Sequence, residues 1–227
     1  MQAVILAAGQ GTRMGVLTKQ TPKPMLRLLD KPMLEWKLMM LPDIIDEVIL
    51  IVGYLGEQIA TYFGNEWQGR NITYVYQKAL NGTGGAITLT KHLLSDSALV
   101  MMGDDLYHPD DLSDLTRETS AVLGLLVDDA QPYGLLEIDE QGHLAKITER
   151  PHGYRTGIVN TGAYMLHPRF FDYPPVRITE TEYGLPQTLV LLGQTTPVKV
   201  LSARAWQPVG KPEDIPLGEE FLKKYAL

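Results

Sequence analysis

The chain has 227 residues, of which 44% are apolar, and it contains no cysteine, so it is long enough for one sizeable core and has neither a disulfide framework nor a thiolate metal site. Its formal net charge of −7 argues against a nucleic-acid partner. No run approaches the about eighteen uncharged apolar residues of a membrane span, and a chain without cysteine suits the reducing cytoplasm, where we expect this protein.

Continuous apolar runs alternate with helical patterns through the first 130 residues. Strands are predicted at 3–6, 47–52, 72–76, 98–102 and 121–127, and helices near 33–41, 57–64 and 85–94. Continuous apolar runs are typical of strands buried in a parallel sheet. The pattern therefore predicts an α/β fold with a Rossmann-like, doubly wound, mixed but mainly parallel sheet. Ligands bind beyond the carboxyl ends of such strands, so the loops at Gly9, Gly53 and Gly103 should lie on one rim.

The pattern changes after about residue 130. A β-hairpin is predicted over 134–149 with its turn near Gly142, followed by a strand at 159–166 and helices at 184–192 and 212–225. The sequence contains no internal repeat and no low-complexity linker, so we expect a single domain over residues 1–227. Its nucleotide-binding half would span about 1–130, and a small β-rich half that binds the acceptor would span about 131–227.

The most specific motif follows the first strand. Residues 6–14 read LAAGQGTRM, and residues 21–26 read TPKPML. A glycine-rich loop exposes backbone N–H groups, and Arg13 and Lys23 add positive charge, so the segment predicts a pocket for a polyphosphate. The spacing excludes a P-loop, because Gly210-Lys211 is followed by proline, and it excludes the G-x-G-x-x-G loop of dinucleotide-binding proteins.

These two segments resemble the signature of the sugar-1-phosphate nucleotidyltransferase family, which is LAAGxGTRM or a close variant followed by a TPKPML-type segment. Members transfer a nucleoside monophosphate from an NTP to a sugar 1-phosphate and release pyrophosphate. The resemblance implies that Arg13 and Lys23 are catalytic and bind nucleotide together with Leu6, Ala7, Ala8, Gly9, Gly11 and Thr12. The expected partners are an NTP and a sugar 1-phosphate, with no nucleic acid and no membrane, and a homo-oligomer is left open.

A second glycine-rich segment, residues 77–86, is expected to bind the nucleobase. It reads QKALNGTGGA between a strand and a helix, and a plain glycine turn at a helix start is the alternative. The resemblance places Gln77 on the base edge, with Gly82, Thr83 and Gly84 close to the ring. An amide has both a donor and an acceptor and matches the O and N–H pattern of a pyrimidine, which favours UTP or dTTP over GTP.

A pair of carboxylates, Asp104 and Asp105, closes the strand at 98–102. Adjacent carboxylates beside a phosphate loop suit Mg²⁺, and a turn aspartate is the alternative. In the family, the aspartate directly after the glycine is the metal ligand, which implies that Asp104 is catalytic and holds Mg²⁺ while Asp105 contacts water or substrate. Residues 206–214 read WQPVGKPED where the family has WxDVGxPED, so Pro208 replaces an aspartate of the metal site. Three alternatives follow: Asp105, Glu180 or Glu182 substitutes for it, phosphates and water complete the Mg²⁺ shell, or catalysis is impaired.

The second half carries three short elements that match the acceptor site of the family: Tyr133-Gly134, Glu149-Arg150 and Asn160-Thr161. In the family, these elements hold the sugar hydroxyls, and the cation after the glutamate holds the sugar phosphate. Arg150 stands where lysine is usual and can keep that role, since arginine binds phosphate with two parallel hydrogen bonds.

Three other functions stay open. A cytidylyltransferase for phosphocholine would need an aromatic cage around a quaternary ammonium. A guanylyltransferase would act on a hexose or heptose 1-phosphate. A non-catalytic subunit that senses nucleotide sugars is the third alternative, and Pro208 is the best argument for it.

Overall fold

The computed structural model describes residues 1–153 and 155–226. Its strands are β1 (Gln2–Ala7), β2 (Arg27–Leu28), β3 (Lys31–Pro32), β4 (Glu47–Val52), β5 (Glu66–Trp67), β6 (Arg70–Tyr76), β7 (Ala98–Met102), β8 (Asp105–Tyr107), β9 (Ala121–Val127), β10 (Gly134–Ile138), β11 (Leu144–Glu149), β12 (Gly157–Leu166), β13 (Val176–Arg177), β14 (Tyr183–Gly184), β15 (Lys199–Ser202) and β16 (Trp206–Pro208). Its α-helices are α1 (Met33–Met39), α2 (Gly56–Phe63), α3 (Gly82–Thr88), α4 (Pro109–Leu115), α5 (Leu185–Gly193) and α6 (Asp214–Tyr225). Short 3₁₀ helices lie at Thr12–Thr18, Lys23–Met25 and Pro168–Asp172.

The largest sheet is mixed, with a parallel centre, which confirms the fold class. Its order is β11-β10-β12-β7-β1-β4-β6-β5, and β9 joins it by pairing with both β12 and β15. Strands β7, β1, β4 and β6 are parallel, whereas β12 runs antiparallel to β7. The hairpin of β10 and β11 is present as expected, with Gly142 in its turn at φ +86°.

Helices cover both faces of the parallel centre, which explains why its strands are apolar without alternation. In β1, Ala3, Ile5 and Ala7 pack on the face that α1, α2 and α4 cover. The neighbouring Val4 packs on the opposite face, with residues of α3 and α5. A strand that is buried on both faces reads as a continuous apolar run.

One predicted helix has the wrong bounds, and several short elements were not predicted. The helix expected at 85–94 is α3, which begins at Gly82 and ends at Thr88. Beyond it, the N–H groups of Leu89, Thr90 and Lys91 bond to carbonyls three residues earlier, so the helical periodicity continues in tighter turns. Helix α4 and the short strands β8, β15 and β16 were not predicted.

The order of the strands creates a crevice beside the end of β1. The chain passes from β1 to β4 on one side and places β7 on the other, which is the switch point where ligands bind in such sheets. The N–H of Tyr54 donates to the carbonyl of Ala8 at 3.2 Å, and the N–H of Gly103 donates to that of Leu6 at 2.9 Å. The three glycine loops therefore meet on one rim, as predicted.

The C-terminal segment adds the last wall of the crevice. Strand β16 pairs antiparallel with β8, with Pro208 opposite Asp105, and α6 packs beneath it through Phe221 and Leu222. Within the two described ranges, no helix is both long enough and apolar enough to cross a membrane.

Candidate active site

The loop after β1 forms a pocket with its basic and acidic neighbours. The pocket is lined by Leu6, Ala7, Gly9, Gly11, Thr12, Arg13, Lys23, Pro24, Gly103, Asp104 and Gly210. Gly11 has φ +65°, and a Cβ there would lie 2.8 Å from the Cβ of Lys23. Glycine therefore allows both the left-handed turn and the close approach of Lys23 to the loop.

Arg13 lies against the C-terminal wall of this pocket. A Cβ at Gly210 would be 3.3 Å from Nη1 of Arg13, so the guanidinium packs directly on the Gly210 backbone. The N–H groups of Gly210 and Lys211 donate to Oδ2 of Asp214 at 2.8 and 3.0 Å. The carboxylate of Asp214 thereby fixes the loop on which Arg13 rests.

Lys23 and Asp104 form an ion pair at the centre of the pocket. The Nζ–Oδ2 distance is 2.5 Å, and the side chains are 7% and 35% exposed. Lys23 is held in the short 3₁₀ helix between two prolines, and Asp104 follows the end of β7. The pair brings together, from positions 81 residues apart, the cation and the carboxylate that the sequence singled out.

Asp105 lies behind this pair and is more enclosed. Burial and the charge of Asp104 raise the pKa of Asp105, and the cations Lys37 and Lys23 oppose that shift. The ammonium of Lys37 donates to the backbone carbonyl of Asp105. The two adjacent carboxylates therefore face different surroundings: Asp104 lines the pocket of the glycine loop, whereas Asp105 lines a neighbouring pocket with Tyr133 and Glu149.

The fit of Mg²⁺ rests on few protein ligands. Among the described residues, no group of three or more His, Cys, Asp or Glu side chains gathers around a common point, and Pro208 has no side-chain oxygen to contribute. Mg²⁺ commonly binds through one or two carboxylates plus substrate phosphates and water. Asp104, with Asp105 beside it, meets that smaller requirement next to the pocket of the glycine loop.

The segment expected to bind the base lies beside the phosphate loop. Ala8, Gly9, Gln77, Gly82 and Thr83 line one pocket together with Leu80 and Glu182. The amide nitrogen of Gln77 donates to Oδ1 of Asn81 at 3.0 Å and to the carbonyl of Gly82 at 3.4 Å, which leaves its oxygen as the end not used in these bonds. Gly84 lies deeper, where a Cβ would be 3.0 Å from the backbone of Tyr183.

The elements expected to bind the acceptor meet in a third pocket. Asp105, Tyr133, Gly134, Glu149, Asn160 and Thr161 all line it. Several of them are already bonded within the protein: the amide of Asn160 donates to the Tyr164 hydroxyl at 2.8 Å and accepts from the N–H of Gly162 at 3.0 Å. The Thr161 hydroxyl donates to the carbonyl of Leu123 at 2.8 Å. Arg150, at φ +45°, is exposed and lies outside this lining.

Several side chains that the sequence analysis did not select also line this pocket, among them Gln187 and Trp206. Gln187, at the start of α5, donates to Oε1 of Glu149 at 2.8 Å. Trp206 packs edge-on against Tyr133 with 5.2 Å between ring centroids. Its indole nitrogen is buried next to Asp105, and its N–H acts to lower the pKa of that carboxyl against the larger, opposite effect of burial. Trp206 is the first residue of the segment in which this chain departs from the family motif, and that departure is a signal in the sequence. Nothing in the sequence pattern signals Gln187.

The chain is similar to known proteins along almost its whole length. The profile of the family described as Nucleotidyl transferase matches residues 2–224. The bifunctional protein GlmU of Methanocaldococcus jannaschii is 30% identical over 98% of this chain, and the aligned part is 54% of its own length. The chain thus spans about half the length of that relative. A UTP–glucose-1-phosphate uridylyltransferase, AglF of Haloferax volcanii, is 29% identical over 99% of this chain and 97% of its own.

Other relatives extend the comparison. A D-glycero-alpha-D-manno-heptose 1-phosphate guanylyltransferase of Campylobacter jejuni is 38% identical over 76% of this chain and 78% of its own. Among solved structures, HddC from Yersinia pseudotuberculosis has a TM-score of 0.76 at 27% identity, covering 97% of this chain and 99% of its own. A family profile that matches almost the whole chain establishes the relationship: the protein belongs to the nucleotidyl transferase family.

Proposed function

We propose that the protein transfers a nucleoside monophosphate from an NTP to a sugar 1-phosphate, giving an NDP-sugar and pyrophosphate. The observation that carries the proposal is the Lys23–Asp104 pair at 2.5 Å, placed where the phosphate loop and the acceptor pocket adjoin. Asp104 lines the first pocket and its neighbour Asp105 lines the second. A reaction that joins two phosphate compounds needs such a junction of two binding sites.

The chemistry asks mainly for positioning and for neutralisation of charge. A phosphate oxygen of the acceptor attacks the α-phosphorus of the nucleotide in line, the α–β bridging bond breaks, and pyrophosphate leaves. We assign Lys23 to the oxygens of the α-phosphoryl group and Arg13 to the departing β- and γ-phosphates. The backbone N–H groups of residues 9–12 would hold the same phosphates, as such loops do elsewhere.

We assign Mg²⁺ to Asp104, with Asp105 as the neighbouring carboxylate. When bound, the ion would supply positive charge that polarises phosphoryl oxygens and offsets charge developing on them. Because Asp104 already pairs with Lys23, the lysine orients the carboxylate beside the phosphate loop.

The base is assigned to the pocket of Gln77. Its amide nitrogen is engaged within the protein, so the oxygen is the group offered to a base. Uracil and thymine have a ring N–H that can donate a hydrogen bond to this oxygen. Cytosine has an unprotonated ring nitrogen at the same position, and two acceptors cannot bond to each other. UTP and dTTP are therefore the proposed donors.

A guanylyltransferase is the second candidate. Guanine also presents a ring N–H, and the 38% identity to the Campylobacter jejuni heptose 1-phosphate guanylyltransferase supports it.

A cytidylyltransferase for phosphocholine is a further alternative. The Tyr133–Trp206 pair supplies part of an aromatic wall of the kind that a quaternary ammonium would use. Phosphocholine is therefore tested as an acceptor beside the sugars.

A pyrophosphate-release assay that crosses UTP, dTTP, GTP, CTP and ATP with a panel of sugar 1-phosphates and phosphocholine tests the proposal. We expect turnover with sugar 1-phosphates, and UTP or dTTP above CTP by about one to two orders of magnitude, as mismatched hydrogen bonds of about 1–3 kcal/mol would give. A clear preference for GTP would select the second candidate. Nucleotide-sugar binding without turnover for any pair would contradict the enzymatic proposal and favour a sensing subunit.

A further inference from the structure

Helix α1 contains a lysine where its neighbours form the hydrophobic core. Lys37 is 1% exposed, and Leu34, Trp36 and Leu38 beside it are buried as well. Moving an ammonium group out of water costs several kcal/mol unless it is paired and hydrogen-bonded. Burial lowers the pKa of Lys37, and the charges of Asp105 and Asp104 oppose that shift.

All the described partners of the Lys37 ammonium lie on the segment that carries the two aspartates. Its Nζ donates to the backbone carbonyl of Asp105. The same atom lies 4.6 Å from the ring centroid of Tyr107, within range of a cation–π contact. Lys37 therefore contacts the start of β8, where the turn from β7 ends, from within the core, and it lines neither the phosphate pocket nor the acceptor pocket.

Two other contacts hold this turn from other sides. The N–H of Val209 donates to the carbonyl of Asp104 at 3.0 Å, and the Tyr107 hydroxyl donates to the carbonyl of Thr161 at 3.1 Å. Both are bonds between neutral groups. At the position opposite Asp105 in the β8–β16 pairing stands Pro208, whose side chain offers no polar group. Besides the Lys23–Asp104 pair on the pocket side, Lys37 thus supplies a second charged contact to this segment, from within the core.

We propose that Lys37 is a positioning residue for the transfer reaction: by binding the Asp105 carbonyl, its buried ammonium holds the turn so that the Asp104 carboxylate stays aligned with Lys23. The inference rests on the proposed function and extends it to a residue that touches no substrate. A purely structural lysine would affect the stability of the protein but not the alignment of Asp104, and this difference makes the two roles separable.

The test compares Lys37→Met with Lys31→Met, a matched control on the same side of the fold. Lys31 precedes α1, lies 5.0 Å from the ring centroid of Trp36 and pairs with Asp30 on the surface, so its removal deletes the same group without touching a described contact of Asp104 or Asp105. For each variant, kcat, the KM for nucleotide, the melting temperature and the affinity for Mn²⁺ by electron paramagnetic resonance are measured. Mn²⁺ binding is recorded with and without nucleotide.

We expect Lys37→Met to lower kcat and weaken Mn²⁺ binding by about 10- to 100-fold each, the usual effect of losing a group that orients a metal ligand, with the nucleotide KM within about threefold of wild type. Lys31→Met should change neither. If electrostatics alone mattered, losing the positive charge of Lys37 would remove a repulsion and so strengthen the binding of a cation at Asp104. Weaker binding therefore reports lost alignment, and unchanged or tighter binding would overturn the proposal.

Two provisions keep the outcome readable. If Lys37→Met does not fold, Lys37→Gln, an uncharged polar side chain that is one bond shorter and so withdraws its donor from the Asp105 carbonyl, is measured in the same way. Wild-type kcat and Mn²⁺ affinity in that variant would contradict the proposal. If the wild-type protein shows no turnover with any substrate pair, the proposed function fails, whereas the Mn²⁺ comparison still decides the role of Lys37.

Discussion

Replacement of Lys23 by methionine tests the centre of the site most directly. Methionine keeps an unbranched apolar chain in a position that is 7% exposed and removes only the ammonium that pairs with Asp104 at 2.5 Å. Because the side chain is enclosed, water cannot easily take the place of the lost donor. Loss of one preorganised donor to a developing charge typically costs about 2.7–4 kcal/mol, or about 10²- to 10³-fold in kcat.

We therefore expect Lys23→Met to lower kcat/KM by at least about a hundredfold, measured as pyrophosphate release with the best substrate pair. Lys19→Met is the matched control, because Lys19 is exposed four residues earlier in the same segment; its kinetics should stay within about twofold of wild type. If the Lys23 variant kept more than a tenth of wild-type kcat/KM, the ammonium would not contact the reacting phosphates, and the assignment of Lys23 would be wrong.

Two further substitutions test the metal site and the base pocket. Position 208 lies opposite Asp105, so Pro208→Asp should lower the Mg²⁺ concentration that gives half-maximal activity. Pro208→Asn is the control, because asparagine has the same shape and backbone freedom as aspartate but lacks the charge. Equal Mg²⁺ dependence in the two variants would mean that another group already serves as the second metal ligand. Gly82→Ala should lower the melting temperature more than Gly142→Ala. Both residues have φ near +85°, so the backbone strain of an alanine is the same at the two positions. A Cβ at Gly82 would in addition lie 2.4 Å from the Tyr183 carbonyl oxygen, whereas none of the described atoms lies within 4 Å of a Cβ at Gly142. Equal shifts of the melting temperature by differential scanning fluorimetry would show that the segment of residues 77–86 does not pack on Tyr183 as described.

The sequence by itself determined the parallel centre of the sheet and the loops on its rim. The runs at 47–52 and 98–102 lack alternation because helices cover both faces of the sheet, so composition alone indicates their place. Gly11 is required by a local turn with φ +65°, and local backbone requirements are readable from a single segment. The hairpin turn at Gly142 was found for the same reason.

Only the tertiary structure decided which residues surround the proposed acceptor pocket and the proposed metal site. Strands β8 and β16 have three residues each and pair across about a hundred positions of the chain, too short to show a periodicity and too far apart for local signals. Their pairing places Pro208 against Asp105 and brings Trp206 onto Tyr133. The burial of Lys37 beneath Asp105 depends in turn on how α1 packs against this sheet. Contacts of this kind arise from the arrangement of whole elements, and a charged residue within an apolar helix acquires its partner only once that arrangement exists.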